Sequence, residues 1–378
     1  MSVDPRHQHR QHRRGAPGRR ALRGGAALAG AALAAGAAVF AAGRYGAART
    51  LRPAAPPGFA DGAVTLLGAD GSHVVLSPGP AALLPGVYGL TGDGVHAVIG
   101  EVEGSDGTGE GPVVRRLHGV LRGTLRPGAR LRITPQVYET PTLEPADVVI
   151  EDELGGVPAW FVFGTRDTWV VTAHGTGAGR EQALNVLPAL NRFGLPVLMP
   201  AHRGDPGAPR PADPAHEEWR DLEAAVRYAV SHGARRVVLY GWSTGAERVL
   251  RTAAASELRD RISGVVLDSP VLDARAAMRA LGEERSLPTP LRYLAAMSTP
   301  ATTAALSEVW SPPGAPQTLL LRGEDDTLTP REPLEDLAAH HPDRVQVHTV
   351  AGGRHGGLWN VDPGAYEERV RRAVVPLV

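Results

Sequence analysis

The pentapeptide Gly-Trp-Ser-Thr-Gly at 241–245 lies between a strand pattern and a helix pattern, and this junction restricts the fold more than any other part of the chain. An apolar, β-branched run precedes it at 236–240, and helical spacing follows it at 246–255. Glycines at both ends of such a turn permit close crowding of the backbone, so that Ser243 is held clear of the sheet beside a helix N-terminus. Glycine is abundant, with 46 in 378 residues, so the flanking patterns and not the pentapeptide alone support this prediction.

Strand and helix patterns alternate from about residue 146 onward. Strands are predicted at 148–150, 159–163, 169–173, 196–199, 237–240, 265–267, 318–321 and 345–350, and helices near 180–192, 214–232, 244–258, 330–340 and 362–375. This alternation is typical of a parallel sheet whose crossover connections are helices. We therefore predict an α/β domain at 146–378 with an eight-stranded, mostly parallel sheet and helices on both faces. The connection from Asp268 to Pro316 is far longer than one crossover helix, which predicts a cap segment at about 271–314.

A smaller all-β module is predicted before this domain, at 61–145. Short β-rich runs alternate there with turns such as Asp70-Gly71 and Asp93-Gly94, and the last predicted strand is 129–138. Asp-Gly pairs between apolar runs favour hairpin turns. No part of this module carries a catalytic or ligand motif, so we interpret it as a structural cap or spacer against the larger domain.

The N-terminal region has the pattern of a membrane signal anchor. Residues 1–23 carry seven arginines and one acid, and 24–43 are apolar or small without a charge. A helix of that length spans roughly 30 Å, enough for a bilayer core. The arginine excess predicts a cytoplasmic tail at 1–23, a single transmembrane helix at 24–43, a Pro-rich linker at 44–60 and an extracytoplasmic remainder. Cleavage after Ala48 is the alternative, and it would release a secreted protein.

Charge and composition exclude several classes of function. The 40 basic and 40 acidic residues cancel, and no long run of one sign occurs beyond the N-terminus, which argues against a nucleic-acid partner. The chain has no cysteine, which excludes disulfides, thiolate metal sites and a cysteine nucleophile. Dinucleotide and phosphate-binding fingerprints are absent from the sequence, so we expect no cofactor and no metal. The oligomeric state is left open.

Two later loops supply the partners that a reactive serine needs. A serine hydroxyl requires a base to accept its proton, and the base requires an acid to orient it. Asp326 and His355 each follow a predicted apolar strand, which would bring them to the edge of the sheet where Ser243 lies.

The acid loop contains a second motif, G-x-x-D-x-L-x-P, at 323–330. With this loop and the G-W-S-x-G-A elbow, the chain from about 146 onward resembles the α/β-hydrolase superfamily, and more narrowly its bacterial serine hydrolases. The resemblance implies the α/β-hydrolase fold and places the acid at Asp326, three residues after the loop glycine. Asp325 is an alternative, and Asp268 is another, at a position that some members of this superfamily use for the acid. It also implies an oxyanion hole formed by the backbone N–H groups of Thr244 and of Thr176 or its neighbour Gly175.

These residues predict a serine hydrolase that cleaves an ester, thioester or amide through an acyl-enzyme, with Ser243, Asp326 and His355 as the triad. Carboxylesterase is the first hypothesis, because the apolar cap residues suit an apolar acyl group. Those cap residues are Met278, Leu281, Leu287, Leu291, Leu294, Met297 and Trp310.

Two alternatives to the esterase hypothesis remain open. In an aminopeptidase-like enzyme, Glu283 and Glu284 would hold the amino terminus of a peptide. A hydrolase-fold protein that binds without catalysis commonly loses a triad residue, and none is missing here. The predicted partner is accordingly a small acyl ester or a peptide.

Overall fold

A computed structural model describes residues 43, 45, 55–138, 143–152, 155–205, 207–209, 217–299 and 309–378. The predicted cytoplasmic tail at 1–23 and the predicted transmembrane segment, except its last residue Gly43, lie outside the described residues. Within the part of the chain that is described, no helix is long and apolar enough to cross a membrane. The signal anchor therefore stays a prediction.

The N-terminal unit is a closed antiparallel barrel of six strands. These are β1 (Ala63–Ala69), β2 (His73–Leu76), β3 (Tyr88–Gly92), β4 (Val95–Gly104), β5 (Val113–Arg122) and β6 (Arg130–Thr134). Their order is β1-β2-β5-β4-β3-β6, and β6 closes the barrel because it pairs with both β1 and β3. Closure leaves no unpaired sheet edge.

Strand β6 shows how the barrel is filled. Leu131 and Ile133 are buried in its apolar core, whereas Arg132 between them points outward, because successive side chains of a strand lie on opposite faces. The predicted strand 129–138 ends early, at Thr134. Pro135 follows, and proline lacks the N–H that a further ladder hydrogen bond requires.

One arginine lies inside the barrel. Arg115 on β5 is fully buried, and its guanidinium donates hydrogen bonds to the carbonyl oxygens of Gly100 (2.7 Å), Ala82 (3.1 Å), Leu84 (2.8 Å) and Gly86 (2.7 Å). Burial lowers the pKa of Arg115 to about 10, so the side chain remains charged at neutral pH. Three of the four carbonyls belong to the connection between β2 and β3, which these hydrogen bonds attach to the barrel.

The second unit is built on a sheet of eight strands. These are β7 (Ala146–Ile150), β8 (Val157–Val162), β9 (Thr168–Ala173), β10 (Val197–Pro200), β11 (Arg236–Trp242), β12 (Ile262–Asp268), β13 (Gln317–Gly323) and β14 (Val345–Val350). They follow the order β14-β13-β12-β11-β9-β10-β8-β7. Strand β8 is antiparallel to β7 and β10, and the other pairs are parallel, as the sequence predicted.

Helices cover both faces of this sheet. The helices described in this unit are α1 (Leu187–Arg192), α2 (Trp219–Ser231), α3 (Gly245–Ala255), α4 (Ala274–Glu284), α5 (Thr289–Met297), α6 (Arg331–His340), α7 (Leu358–Val361) and α8 (Pro363–Val374). Helices α2, α3 and α6 pack on one face, and α1, α7 and α8 pack on the other. Apolar residues recur at helical spacing, as Leu222, Val226 and Ala229 do on α2, so each helix buries one stripe.

The predicted cap segment contains α4 and α5, which lie between β12 and β13. The two helices pack together through Met278 on α4 and Ala295 and Ala296 on α5. Residues 300–308 of this segment lie outside the described residues. The cap therefore has a small apolar core of its own.

Asn360 on α7 joins the two units. It is fully buried, and its Nδ2 donates hydrogen bonds to the carbonyl oxygens of Val87 (2.7 Å) and Pro135 (2.8 Å) in the N-terminal unit. Its own carbonyl oxygen accepts a hydrogen bond from the N–H of Val87 at 2.8 Å. Gly86 permits this approach, because a Cβ there would lie 2.0 Å from the same carbonyl oxygen. These contacts orient the barrel on the α/β domain.

Replacing Arg115 by methionine should lower the free energy of unfolding by about 3 kcal/mol or more, because four buried carbonyl groups would lose their donor. Urea denaturation of the full chain measures this change. Arg116→Met is the matched control: Arg116 is exposed, its partner is Glu103 at 2.7 Å, and the expected loss is much smaller because solvent screens an exposed ion pair. Equal losses for the two variants would contradict a special role for Arg115.

Candidate active site

Ser243 occupies a crowded turn between β11 and α3. Its φ is +52°, a left-handed conformation that costs free energy in a residue other than glycine. The N–H of Ser243 donates to the carbonyl oxygen of Asp268 at 2.9 Å, which holds the turn against the end of β12. Gly245 is required by close packing, since a Cβ there would lie 2.2 Å from the carbonyl oxygen of Ala173. The predicted elbow geometry is thus present at these residues.

Ser243, His355 and Asp326 form one chain of hydrogen bonds. The Oγ of Ser243 lies 2.8 Å from Nε2 of His355, and Nδ1 of His355 lies 3.0 Å from each carboxylate oxygen of Asp326. His355 and Asp326 are buried, whereas Ser243 is partly exposed. The structure therefore brings the three predicted residues together with the serine at the accessible end.

Asp326 and His355 shift each other's pKa in opposite directions. Burial by itself would raise the pKa of Asp326, but His355 and the N–H groups of Leu328 and Thr329 outweigh it, so this pKa is lowered. Burial by itself would lower the pKa of His355, but Asp326 outweighs it and raises that pKa. The pair thus favours a carboxylate that orients the imidazole and stabilises its protonated form.

The two alternative acids occupy different positions. Asp325 is exposed, next to Asp326 in the sequence. Asp268 is buried at the end of β12, where its carboxylate accepts hydrogen bonds from the hydroxyls of Tyr366 (2.6 Å) and Ser269 (2.8 Å). Burial raises the pKa of Asp268 to about 6, although both hydroxyls oppose the shift. It is Asp326 that contacts the imidazole.

A short segment at 55–60, which we term the strap, lies against the loop that carries His355. A Cβ on Gly58 would lie 3.0 Å from the backbone nitrogen and oxygen of His355. The side chain of Arg354 in the same loop pairs with Asp61 at 2.7 Å. Phe59 is fully buried, and it would contact a Cβ on Gly357 at 2.8 Å. The strap therefore supports the histidine loop from outside the α/β domain.

The two candidates for the first oxyanion donor have different acceptors. The N–H of Gly175 donates to Oε1 of Gln182 at 2.9 Å, and the N–H of Thr176 donates to Oγ1 of Thr244 at 2.7 Å. The acceptor of Thr176 is a rotatable hydroxyl on the residue that follows Ser243. The acceptor of Gly175 is likewise a side-chain atom, so rotation of one side chain would free either N–H, and both residues stay candidates for this donor.

A cavity of about 450 Å³ opens beside Ser243 and His355. Its wall is formed by the loop of Thr176, by Leu281 and Arg285 of helix α4, and by the strap. The barrel also forms part of the wall, through Thr91, Arg132, Thr134, Pro135 and Gln136. The interpretation of the β module as a spacer was therefore incomplete. No sequence motif marks these residues, because only the docking of the two units brings them to the site.

Within the described residues, no group of three or more histidine or acidic side chains is arranged to hold a metal ion.

Solved structures share the fold of the α/β domain. An esterase from Pyrococcus furiosus is 22% identical, with a TM-score of 0.52 over 62% of this chain and 91% of that chain. A second crystal form of it gives 21% identity and a TM-score of 0.51 over 62% and 92%. A carboxylesterase from Bacillus subtilis is 16% identical, with a TM-score of 0.46 over 62% and 92%. The likeness to the Pyrococcus structures confirms the predicted α/β-hydrolase fold.

The barrel matches a separate family model, a domain of unknown function (DUF8805), over residues 65–134. The match begins within β1 and ends at the last residue of β6, so it covers the barrel without the α/β domain. No curated protein matches the chain.

Proposed function

We propose that the protein is a serine hydrolase that cleaves carboxylic esters through an acyl-enzyme intermediate. The observation that carries this proposal is the hydrogen-bonded chain from Ser243 through His355 to Asp326 at the wall of a cavity. A buried acid and base that are linked by hydrogen bonds to an accessible serine hydroxyl are suited to nucleophilic catalysis. The Pyrococcus furiosus protein that shares this fold is an esterase, which adds support.

In the proposed reaction, His355 Nε2 takes the hydroxyl proton as Ser243 Oγ attacks the ester carbonyl. The backbone N–H groups of Thr244 and Thr176 stabilise the resulting oxyanion, each contributing roughly 3 kcal/mol. This requires the Thr244 hydroxyl to rotate away from the N–H of Thr176, to which it is hydrogen-bonded. Protonated His355 then gives its proton to the leaving alcohol, and a water molecule, activated in the same way, releases the acid.

The cap gives limited support for a preference between esters and amides. Of its seven apolar residues named above, Leu281 lines the cavity. Met278 packs within the cap, and Trp310 donates a hydrogen bond to Thr318 at 2.9 Å in the core of the α/β domain. The composition of the cap therefore reflects packing more than substrate binding.

The two glutamates that would hold a peptide amino terminus in a peptidase have other partners in the structure. Glu283 is exposed and pairs with Arg292 at 2.9 Å, and Glu284 accepts a hydrogen bond from the N–H of Ala60 in the strap at 3.1 Å. Neither glutamate is among the cavity-lining residues of the described chain. We therefore retain the esterase proposal, and comparison of nitrophenyl esters with aminoacyl-nitroanilides tests it directly.

A fluorophosphonate probe should label the wild-type protein at Ser243 and should not label Ser243→Ala. The control is Ser269→Ala, because Ser269 is another serine with a positive φ, at +50°. Labelling of Ser269→Ala should persist, since the Ser269 hydroxyl donates to Asp268, accepts from the N–H of Gly356 and makes no hydrogen bond to a histidine ring among the described residues. Mass spectrometry of the labelled peptide identifies the site. Labelling that survives in Ser243→Ala would contradict the proposal, and absence of labelling in the folded wild type would favour a binding protein.

The rate should depend on pH through His355, which must be neutral to accept a proton. Its pKa is raised, so kcat/KM should fall as the pH drops through a value above the ordinary 6.5 of histidine. Asp326→Asn removes the anion that raises this pKa, so the fall should move to lower pH while kcat drops on the order of 10⁴-fold. Asp325→Asn, at the exposed neighbouring position, should change neither quantity. The reverse pattern would assign the acid to Asp325.

We also infer membrane attachment from the sequence, with residues 24–43 as a single-pass anchor and the α/β domain outside the cytoplasm. The full chain should sediment with membranes, require detergent for release, and be digested by protease added outside spheroplasts. Recovery of intact protein in the soluble cytoplasmic fraction would contradict this inference. A mature protein that begins near Arg49 would instead indicate a cleaved signal.

A further inference from the structure

The barrel contributes a polar wall to the cavity. Thr91 on β3 pairs with Arg132 on β6, and both residues line the cavity that contains Ser243. Their side chains point away from the barrel core, where Leu90 and Leu131 are buried. The outer face of one barrel edge is therefore part of the candidate substrate site.

Arg132 has no anionic partner within the described residues. Its Nη1 lies 3.3 Å from the carbonyl oxygens of Phe59 and Ala60 in the strap, which orients the guanidinium. In the same described set, its Nε and Nη2 atoms make no hydrogen bond, and no carboxylate lies within ion-pair distance. A partly buried guanidinium that lacks part of its hydration binds a carboxylate well, because Nε and Nη2 form a fork that matches two carboxylate oxygens.

The other charged residues around the cavity are less suited than Arg132 to bind a carboxylate. Arg285 of α4 also lines the cavity, and its Nη2 donates to the carbonyl oxygen of Ala55 in the strap at 3.1 Å. Glu181 is exposed at the rim, and the carboxylate of Asp268 accepts hydrogen bonds from two hydroxyls. The wall near the strap thus presents two cations. Of these, we assign the carboxylate to Arg132, whose Nε and Nη2 atoms make no hydrogen bond among the described residues.

We propose that the ester substrate carries a carboxylate group, which Arg132 binds across the cavity while Ser243 attacks the ester carbonyl. This inference rests on the proposed function and narrows its substrate class to anionic esters. It makes Arg132 a specificity residue supplied by the barrel, and it gives the barrel a role in recognition.

A matched pair of esters tests the proposal. Monoethyl adipate carries a carboxylate where ethyl adipamate carries a neutral amide, and the two esters are otherwise the same. Ethanol release reports the hydrolysis of both. Wild-type kcat/KM should favour the anionic ester, and Arg132→Gln should reduce the ratio of the two values roughly tenfold or more. Arg132→Lys should restore part of the ratio. Arg130→Gln removes the same charge from an exposed position on the same strand and should leave the ratio unchanged.

Adipate binding to the Ser243→Ala chain, measured by calorimetry, tests the same site without catalysis. Arg132→Gln in that background should weaken adipate binding by a similar factor. The proposal would be overturned if wild-type kcat/KM were equal for the two esters. It would also be overturned if Arg132→Gln left the ratio of the two values unchanged, or if Arg130→Gln reduced this ratio as much as Arg132→Gln does. If adipate binding depends on Arg132 but the wild-type protein hydrolyses neither ester, the result supports the anion site and rejects the esterase proposal.

Discussion

Close packing at the elbow determines where the other candidate residues can lie. The N-terminus of α3 approaches the end of β9 so closely that Gly245 has no room for a Cβ. This contact, with the hydrogen bond from the N–H of Ser243 to Asp268, holds the serine in a left-handed conformation above the sheet. His355 and Thr176 come from loops at the same edge, because neighbouring parallel strands all end there.

Burial of charge around the elbow is offset at Asp326 but not at Asp268. Asp326 and Asp268 both lie near His355, and both raise its pKa. Asp268 is in turn hydrogen-bonded to Tyr366, whose hydroxyl also contacts that of Tyr240. Because the pKa of Asp268 is about 6, this second carboxylate loses its charge in mildly acidic solution and then ceases to stabilise the imidazolium. Glu284 raises the pKa of His355 as well, so the electrostatics of the site involve two more acids than the three-residue chain.

The sequence predicted the α/β sheet and the edge at which the site lies, because strand periodicity and the loops after strands are local features. The loop motif favoured Asp326 over Asp325 and Asp268, but the burial and the contact with His355 that distinguish Asp326 depend on the tertiary structure. The sequence also could not separate Gly175 from Thr176, because the choice depends on the acceptor of each N–H. The cavity role of Arg132 was missed altogether. In the sequence, Arg132 is an ordinary outward-facing residue of a strand. It reaches the site only because the Asn360 contacts place the barrel beside the elbow.

The composite cavity has a consequence for biosynthesis. Its walls come from the strap and the barrel, which are synthesised before the α/β domain, and from His355 and Asn360, which follow β14. A nascent chain that has not reached these two residues has neither the candidate base nor the joint that positions the barrel wall. The candidate site can therefore assemble only after the ribosome has passed Asn360.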